Sequence, residues 1–394
     1  MTEELFLNIS GSGDAKGGII SGWQSIRVTR GVERMPSDFD IEVTERFPGQ
    51  AKDVVITPGD ICRVKLGNDL VMTGYVDRYL PSITSRSHTI RVMGRSACCD
   101  LVDCSIITPT NQIAGATVRG IAEQLAALYG ITVDARSGDG PVVPQIIVNL
   151  GETPYQVIER VARYAAFLSY DDPMGRLVLS QVGVDKMSGG LIEGQNVVAA
   201  AVTFTIDERY SEYHPFFQSV NSFMQGELPA NGNALPVVID SGMGNLKRID
   251  GQPRVRKHAI ISEQVYPGEN FAEVRAKWEM ARRYGRSQAI RVTTDSWRDG
   301  AGALWQPNAR VKVNVPSCKV ENREGVIAEV TYFRDGHRGT GAELMIMPPE
   351  AFTPEPTIIS PFDAQIVREL NPSAGVPVGQ SPAETPSTRD GPGV

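Results

Sequence analysis

A two-residue alternation of apolar and polar side chains runs through the first hundred residues, and it restricts the fold more than any other feature of the chain. In "GWQSIRVTRGV", Ile26 and Val28 alternate with Arg27 and Thr29. In "DFDIEVTERF", Phe39, Ile41 and Val43 alternate with Asp40, Glu42 and Thr44. Successive side chains of a strand point to opposite faces, so this pattern predicts half-buried strands. "ICRVKLG", "DLVMTGYVDRYL" and "SHTIRVMGRS" continue the series between Pro, Gly and Asn-Asp turns. Short strands at near-regular spacing predict an antiparallel barrel or sandwich.

The opening of one strand is written twice. "ITPGDICRVKLG" at Ile56–Gly67 and "LWQPNARVKVNV" at Leu304–Val315 both lead from a proline turn into Arg-Val-Lys, roughly 250 residues apart. Each is followed by a hairpin and a third element opened by glycine, Gly74 in the first and Gly325 in the second. The order and polarity of elements predict two related antiparallel β-barrels flanking an insertion.

That insertion changes period. In "ATVRGIAEQLAALYGITV", Val118, Ile121, Leu125 and Leu128 fall on one helical face, with Gly130 as the stop. "GETPYQVIERVARYAAFLSYDD" offers Thr153 as N-cap, Pro154 at N1 and Gln156 at N3, a capping box. A turn at "DDPMG" then leads into the strand "RLVLSQV". β character returns near Asn196, and "LPANGNALP…DSGMGN" reads as a long exposed loop. A helix is expected near 270–284 with Phe271, Val274 and Trp278 facing the core. The expected class is mainly β with an α+β insertion: a first β-barrel domain at 1–104, a small α+β domain at 105–192, and a second β-barrel domain at 193–352. A Pro-rich tail at 353–394 holds eight of the 26 prolines and little that can bury surface.

At 394 residues the chain is long enough for two to four domains. Its net charge of −7 argues against non-specific nucleic-acid binding as the main task, although an acidic wall would let DNA slide through a cavity. "MTEELFLNIS" has no basic n-region, and no run approaches the ~18 apolar residues of a membrane span. Five cysteines at unhelpful spacings read as free thiols in a protein made in reducing cytoplasm.

Motifs that suggest chemistry have plainer readings. "GSGDAKGG" at Gly11–Gly18 lacks the Lys-Ser/Thr ending of a phosphate loop and precedes a strand. "CCDLVDC" has no Cys-x-x-Cys pair and no nearby histidine, so no metal is expected. Asp171 and Asp172 fit a turn before Pro173. Arginines at 282, 283 and 286 could bind phosphate but also suit a helix C-terminus. The carboxylate pair of a glycoside hydrolase comes from distant positions, and sequence singles none out. Neither catalytic, cofactor nor metal residues are assigned.

Four segments, "GWQSIRVTRGVERMPSDFDIEV", "VMTGYVDRYL", "GRSACCDLVDC" and "DSWRDGAGALWQPNARVKV", in this order, resemble the baseplate hub proteins of Mu-like contractile-tail phages. The resemblance covers about 20–350 and extends to other myophage hubs, late control D proteins and the N-terminal part of type VI secretion spike proteins. The "GSGDAKGG" insertion and the Pro-rich tail depart from the pattern. The resemblance implies a virion protein without enzymatic activity or cofactor, assembled in the host cytoplasm. It implies a homotrimeric hollow cylinder, two barrels per subunit giving a pseudo-six-fold ring. Implied partners are the tail tube or a tube adaptor, the central spike, the tape-measure C-terminus, baseplate wedge proteins, and DNA in transit. Trp23, Trp297 and Trp305, with Pro307 and Asn308, are candidate subunit or partner anchors; the tryptophans suit a core equally well. The alternatives are a glycan- or receptor-binding tail module, which needs an exposed aromatic platform, and a tail-tip cell-wall hydrolase.

Overall fold

The computed structural model describes residues 5–10, 18–20, 23–43, 56–85, 88–218, 236–263 and 271–356. The "GSGDAKGG" loop except Gly18, most of the "LPANGNALP" loop, and the tail from 357 lie outside them.

The alternating segments fold as strands: β1 (Leu5–Ser10), β2 (Gly18–Ile20), β3 (Ser25–Gly31), β4 (Asp38–Val43), β5 (Ile61–Leu66), β6 (Asp69–Ile83) and β7 (His88–Ser96). Phe39 and Ile41 of β4 are fully buried while Asp40 and Glu42, which alternate with them, are half-buried, the two-residue period in physical form.

The insertion forms α1 (Cys99–Asp103), β8 (Gln112–Thr117), α2 (Val118–Ala127), β9 (Val133–Ala135), β10 (Val142–Ile147), α3 (Pro154–Tyr164), β11 (Leu168–Asp171) and β12 (Leu177–Ser180). The expected capping box is present: Thr153 Oγ1 accepts from the Gln156 N–H, and Gln156 accepts from the Thr153 N–H. Val118, Ile121 and Leu125 are buried against Val157, Ile158 and Val161 of α3, forming a second core distinct from that of the large sheet. Leu128 is not on that stripe. The helix ends at Ala127, which turns Leu128 outward to 43% exposure just before Gly130 takes φ +69°.

The chain continues through β13 (Asp185–Lys186), β14 (Leu191–Ile192), β15 (Val197–Phe204), β16 (Glu212–Gln218), β17 (Val238–Ile239) and β18 (Lys257–Glu263). Then come α4 (Phe271–Arg286), β19 (Gln288–Thr294), β20 (Ala309–Val315), β21 (Val320–Asp335) and β22 (Gly339–Met347). The stripe expected on α4 is corrected. Ala272, Ala276 and Gly285 are its buried positions, Phe271 is half-buried, Val274 is exposed, and the Trp278 indole donates to the Thr353 carbonyl at 2.8 Å. The helix lies on the small β17-β16-β18 sheet and the turn at Pro349–Phe352, and small side chains permit that approach.

Fourteen strands share one sheet, with the path β15-β19-β22-β21-β3-β4-β7-β6-β5-β1-β2 and with β20, β13 and β14 branching from β21. The described strands form this open path rather than two closed rings. The first and last strand groups meet where β3 pairs antiparallel with β21, from Gly31 opposite Glu329 to Ile26 opposite Arg334. They share one apolar core that includes Val28, Ile41, Trp297, Tyr332 and Leu344.

Within this sheet the order β3-β4-β7-β6-β5 is repeated as β15-β19-β22-β21-β20. β6 and β21 are the long strands of the two units, and both begin their crossing between neighbours at a glycine. Gly74 lies opposite Cys62, and Gly325 opposite Val311. Three residues after each glycine the ladder skips one residue, Asp77 in β6 and Ala328 in β21. An extra residue bends a strand and increases its twist, so both long strands turn at the same point. The two Arg-Val-Lys triplets sit two residues apart in register relative to their glycines. A two-residue offset preserves facing, and Val64 and Val311 are both buried.

Candidate assembly surface

Four of the five sequence candidates lie inside the subunit. Trp297 is 1% exposed and its indole donates to the Phe333 carbonyl at 3.0 Å. Trp305 is fully buried, and its carbonyl accepts from the Tyr332 hydroxyl. Pro307 is buried beside it. Their reading as interface anchors is corrected to core. A large ring with one polar atom serves a core or an interface equally well, and only the surrounding strands decide which. Trp23 alone is half-buried, and its indole donates to the Leu5 carbonyl at 3.1 Å.

Asn308 has a different task. It adopts φ +63°, a conformation that asparagine tolerates better than most residues. Its N–H donates to the Ile327 carbonyl at 2.9 Å. Its side-chain oxygen accepts from the Gly183 N–H at 2.7 Å, and its amide donates to the Gln181 carbonyl at 2.9 Å. Ser180 Oγ and the Tyr170 hydroxyl lie within 3.3 Å of the same amide. One buried side chain thus fastens the segment leaving β12 to the turn that opens β20.

Asp171, which the sequence assigns to a turn, is a second fastening point. The carboxylate is 2% exposed and accepts from the Ser37 N–H at 2.8 Å, the Ser37 hydroxyl at 2.6 Å and the Ser96 hydroxyl. It therefore ties β11 to the first strand group. Asp172 does belong to the turn, where it accepts from the N–H groups of Met174 and Arg176 and pairs with the Arg176 guanidinium. The arginine run at the end of α4 is neutralised within the chain. Arg282 and Arg286 reach Glu33 at 3.1 and 2.5 Å, and Arg283 pairs with Glu279 at 2.7 Å.

A cavity of about 310 Å³ lies between α3, α4 and the chain at Phe352–Glu355; its Glu159 pairs with Arg163, and its Arg282 with Glu33. Among the described residues, no group of three or more His, Cys, Asp and Glu side chains is placed to hold a metal ion. Cys62, Cys98 and Cys99 are buried free thiols, and burial pushes Cys62 and Cys99 up to about 12.

The exposed apolar strands are the features that suit assembly. β15, "VVAAAVTF", carries no charge, ends the sheet path, and exposes Val198 at 67% and Phe204 at 50%. In the second half of β6, Leu80 is 45% and Ile83 80% exposed. Unprotected edges of this kind add strands from other chains, so natural proteins charge, twist or cover them.

Three family descriptions match the chain in order: Mu phage baseplate assembly protein GpP-like, N-terminal, at 14–96; baseplate hub protein gp44-like, second domain, at 98–181; and Mu phage baseplate assembly protein GpP, fourth domain, at 269–355. The 43 kDa tail protein of prophage MuSo2 from Shewanella oneidensis is 30% identical, with 89% of this chain and 99% of that one covered and a TM-score of 0.75. The chain belongs to the Mu-like baseplate hub family. Another relative of this hub protein is the baseplate hub protein gp44 of Escherichia phage Mu, 26% identical over 86% of this chain and 87% of that one. The hub fold extends further. The E. coli c3393 protein, described as a type VI secretion component similar to T4 tail proteins gp27 and gp5, is 11% identical with a TM-score of 0.53, covering 90% of this chain and 80% of that one. The hub protein is thus a mainly β tail component with a structural role in the phage baseplate.

Proposed function

We propose that this chain is the central hub of a contractile-tail baseplate: a homotrimer forming a short hollow cylinder, with six related strand units around its axis. One face of the ring meets the six-fold tail tube or its adaptor, and the other meets the three-fold central spike. The lumen takes DNA in transit and the end of the tape-measure protein, and the outer surface meets the wedge proteins. The observation that carries this reading is the repetition of one strand order within the chain, with a glycine and a skipped residue at matching places in Gly74–Asp77 and Gly325–Ala328. A subunit built as two similar wedges turns three copies into six positions. Closed cyclic symmetry then uses head-to-tail contacts that end in a ring.

The two barrels of the sequence reading correspond here to the two strand units, whose barrel-like curvature is completed in the ring. The α+β domain near 105–192 lies outside that ring. Catalysis has no part in this function: the work is mechanical, holding the spike until contraction drives it through the envelope. Native mass spectrometry of the full chain tests the reading. A species of three times 42.8 kDa is expected, alone or with tube and spike proteins present. A monomer under both conditions refutes it.

A further inference from the structure

The chain contains a template for how its copies join. Inside one subunit, β3 of the first unit pairs with the second half of β21 of the second unit, and Thr29 and Thr331 hydrogen-bond across that seam at 3.2 Å. The repeat has a counterpart for each partner, β15 for β3 and the second half of β6 for β21. Among the described strands, β15 has only β19 as a full ladder neighbour, and the second half of β6 has β7 on one side and no strand on the other. Among the described strands the seam therefore occurs once, while β15 and the second half of β6 form a complementary pair of edges with no further strand beside them.

The ladders fix the register of the missing seam. Val92 of β7 lies opposite both Tyr79 of β6 and Ile41 of β4. Leu344 of β22 lies opposite both Val330 of β21 and Val292 of β19. Ile41 in turn faces Ile26 of β3, and Val292 faces Ala200 of β15. Tyr79 is thus the counterpart of Val330, and Ala200 the counterpart of Ile26. In the internal seam Val330 faces Arg30, and Arg334 faces Ile26.

We propose that β15 of one copy adds antiparallel to the second half of β6 in the next copy, with Phe204 opposite Tyr79, Thr203 opposite Leu80, Val202 opposite Pro81 and Ala200 opposite Ile83. This rests on the homotrimer reading above and names the contact that builds it. The seam pairs the uncharged β15 edge, sets the exposed Phe204 beside Tyr79 with Ile83 on the same face, and sets the exposed Leu80 beside Thr203 on the other face. Pro81 supplies no N–H and removes at most one bond from the ladder. Each copy offers β15 to one neighbour and β6 to the other, so the contact is head-to-tail and repeats the internal step.

Paired cysteines test the register. In a Cys104→Ser, Cys318→Ser background, one variant carries Phe204→Cys with Tyr79→Cys, and another Thr203→Cys with Leu80→Cys. Adjacent positions of an antiparallel ladder alternate between wide and close pairs, so at least one variant presents a close pair. Mild oxidation is expected to give covalent dimers and trimers on a denaturing gel. Phe204→Cys with Ile83→Cys, four residues off register and ~13 Å away, should crosslink about tenfold less. A native trimer in which neither in-register pair crosslinks, or the off-register pair crosslinks equally, overturns the seam and leaves the trimer standing. In-register crosslinks in an assembly of another size support the seam and overturn the trimer. A monomer that never crosslinks, with tube and spike proteins present, overturns both.

Discussion

Asn308 permits a prediction in which two physical effects separate. Replacing it with glycine keeps a backbone that accepts φ +63° and removes only the side chain. The Gly183 N–H then loses its acceptor at 2.7 Å inside the protein, and an orphaned buried donor costs about 1–3 kcal/mol. The Gln181 carbonyl loses less, because the Ser180 hydroxyl still donates to it at 3.0 Å. With the small void added, Asn308→Gly should destabilise by about 2–4 kcal/mol. Asn308→Ala loses the same bonds and also holds a Cβ in the left-handed region, so it should be worse by a further ~1 kcal/mol. Urea unfolding followed by tryptophan fluorescence reads the relevant core, since Trp297 and Trp305 are buried in it. Hydrogen exchange should show the loss concentrated at Gln181–Gly183 and at the start of β20. If both variants unfold within ~0.5 kcal/mol of the parent, Asn308 is not a fastening point. If alanine is no worse than glycine, the backbone part of the reasoning fails.

Three further outcomes follow from other contacts. Asp171→Ala should cost about 3–5 kcal/mol and Asp171→Asn less, because the amide retains an acceptor for Ser37; equal unfolding midpoints for the two would refute a carboxylate with three donors. A Cβ at Gly74 would lie 1.9 Å from the Arg95 carbonyl oxygen, whereas at Gly325 its nearest neighbour is the movable Ile346 Cγ2 at 2.6 Å. Gly74→Ala should therefore cost about 3 kcal/mol or more and Gly325→Ala about 1–2 kcal/mol, and thermal unfolding that ranks them the other way would refute the comparison. The folded Cys62 and Cys99 thiols ionise only near 12, against an ordinary 9.0 in the unfolded chain. The unfolded chain thus releases protons first, so stability should be full below about pH 9 and fall as pH rises toward 12. Cys62→Ala should flatten that fall; an unchanged slope in urea titrations at several pH values would count against it.

Several of these elements are local and were legible in the chain itself. The capping box at Thr153 to Gln156 needs only four neighbouring residues, and the strands around Phe39 and Ile41 need only their own alternation. Where two local readings compete, neighbours far along the chain decide. Val274 and Trp278 have the spacing of a buried stripe, yet Ala272 and Ala276 face the core because the helix lies close to its supports. Trp297 and Trp305 have the chemistry of interface anchors and became core, while Asp171 has the chemistry of a turn and became a fastening point.

By itself the sequence determined the mainly β character, the α+β insertion and the duplicated strand opening, because period, capping and turn chemistry act over a few residues. Only the tertiary structure decided that the two strand groups share one sheet, since Thr29 meets Thr331 from 302 positions away. It also decided which edges lack a strand neighbour among the described residues. A ladder's partner is chosen by the packing of the whole core, and no short window of sequence contains that choice.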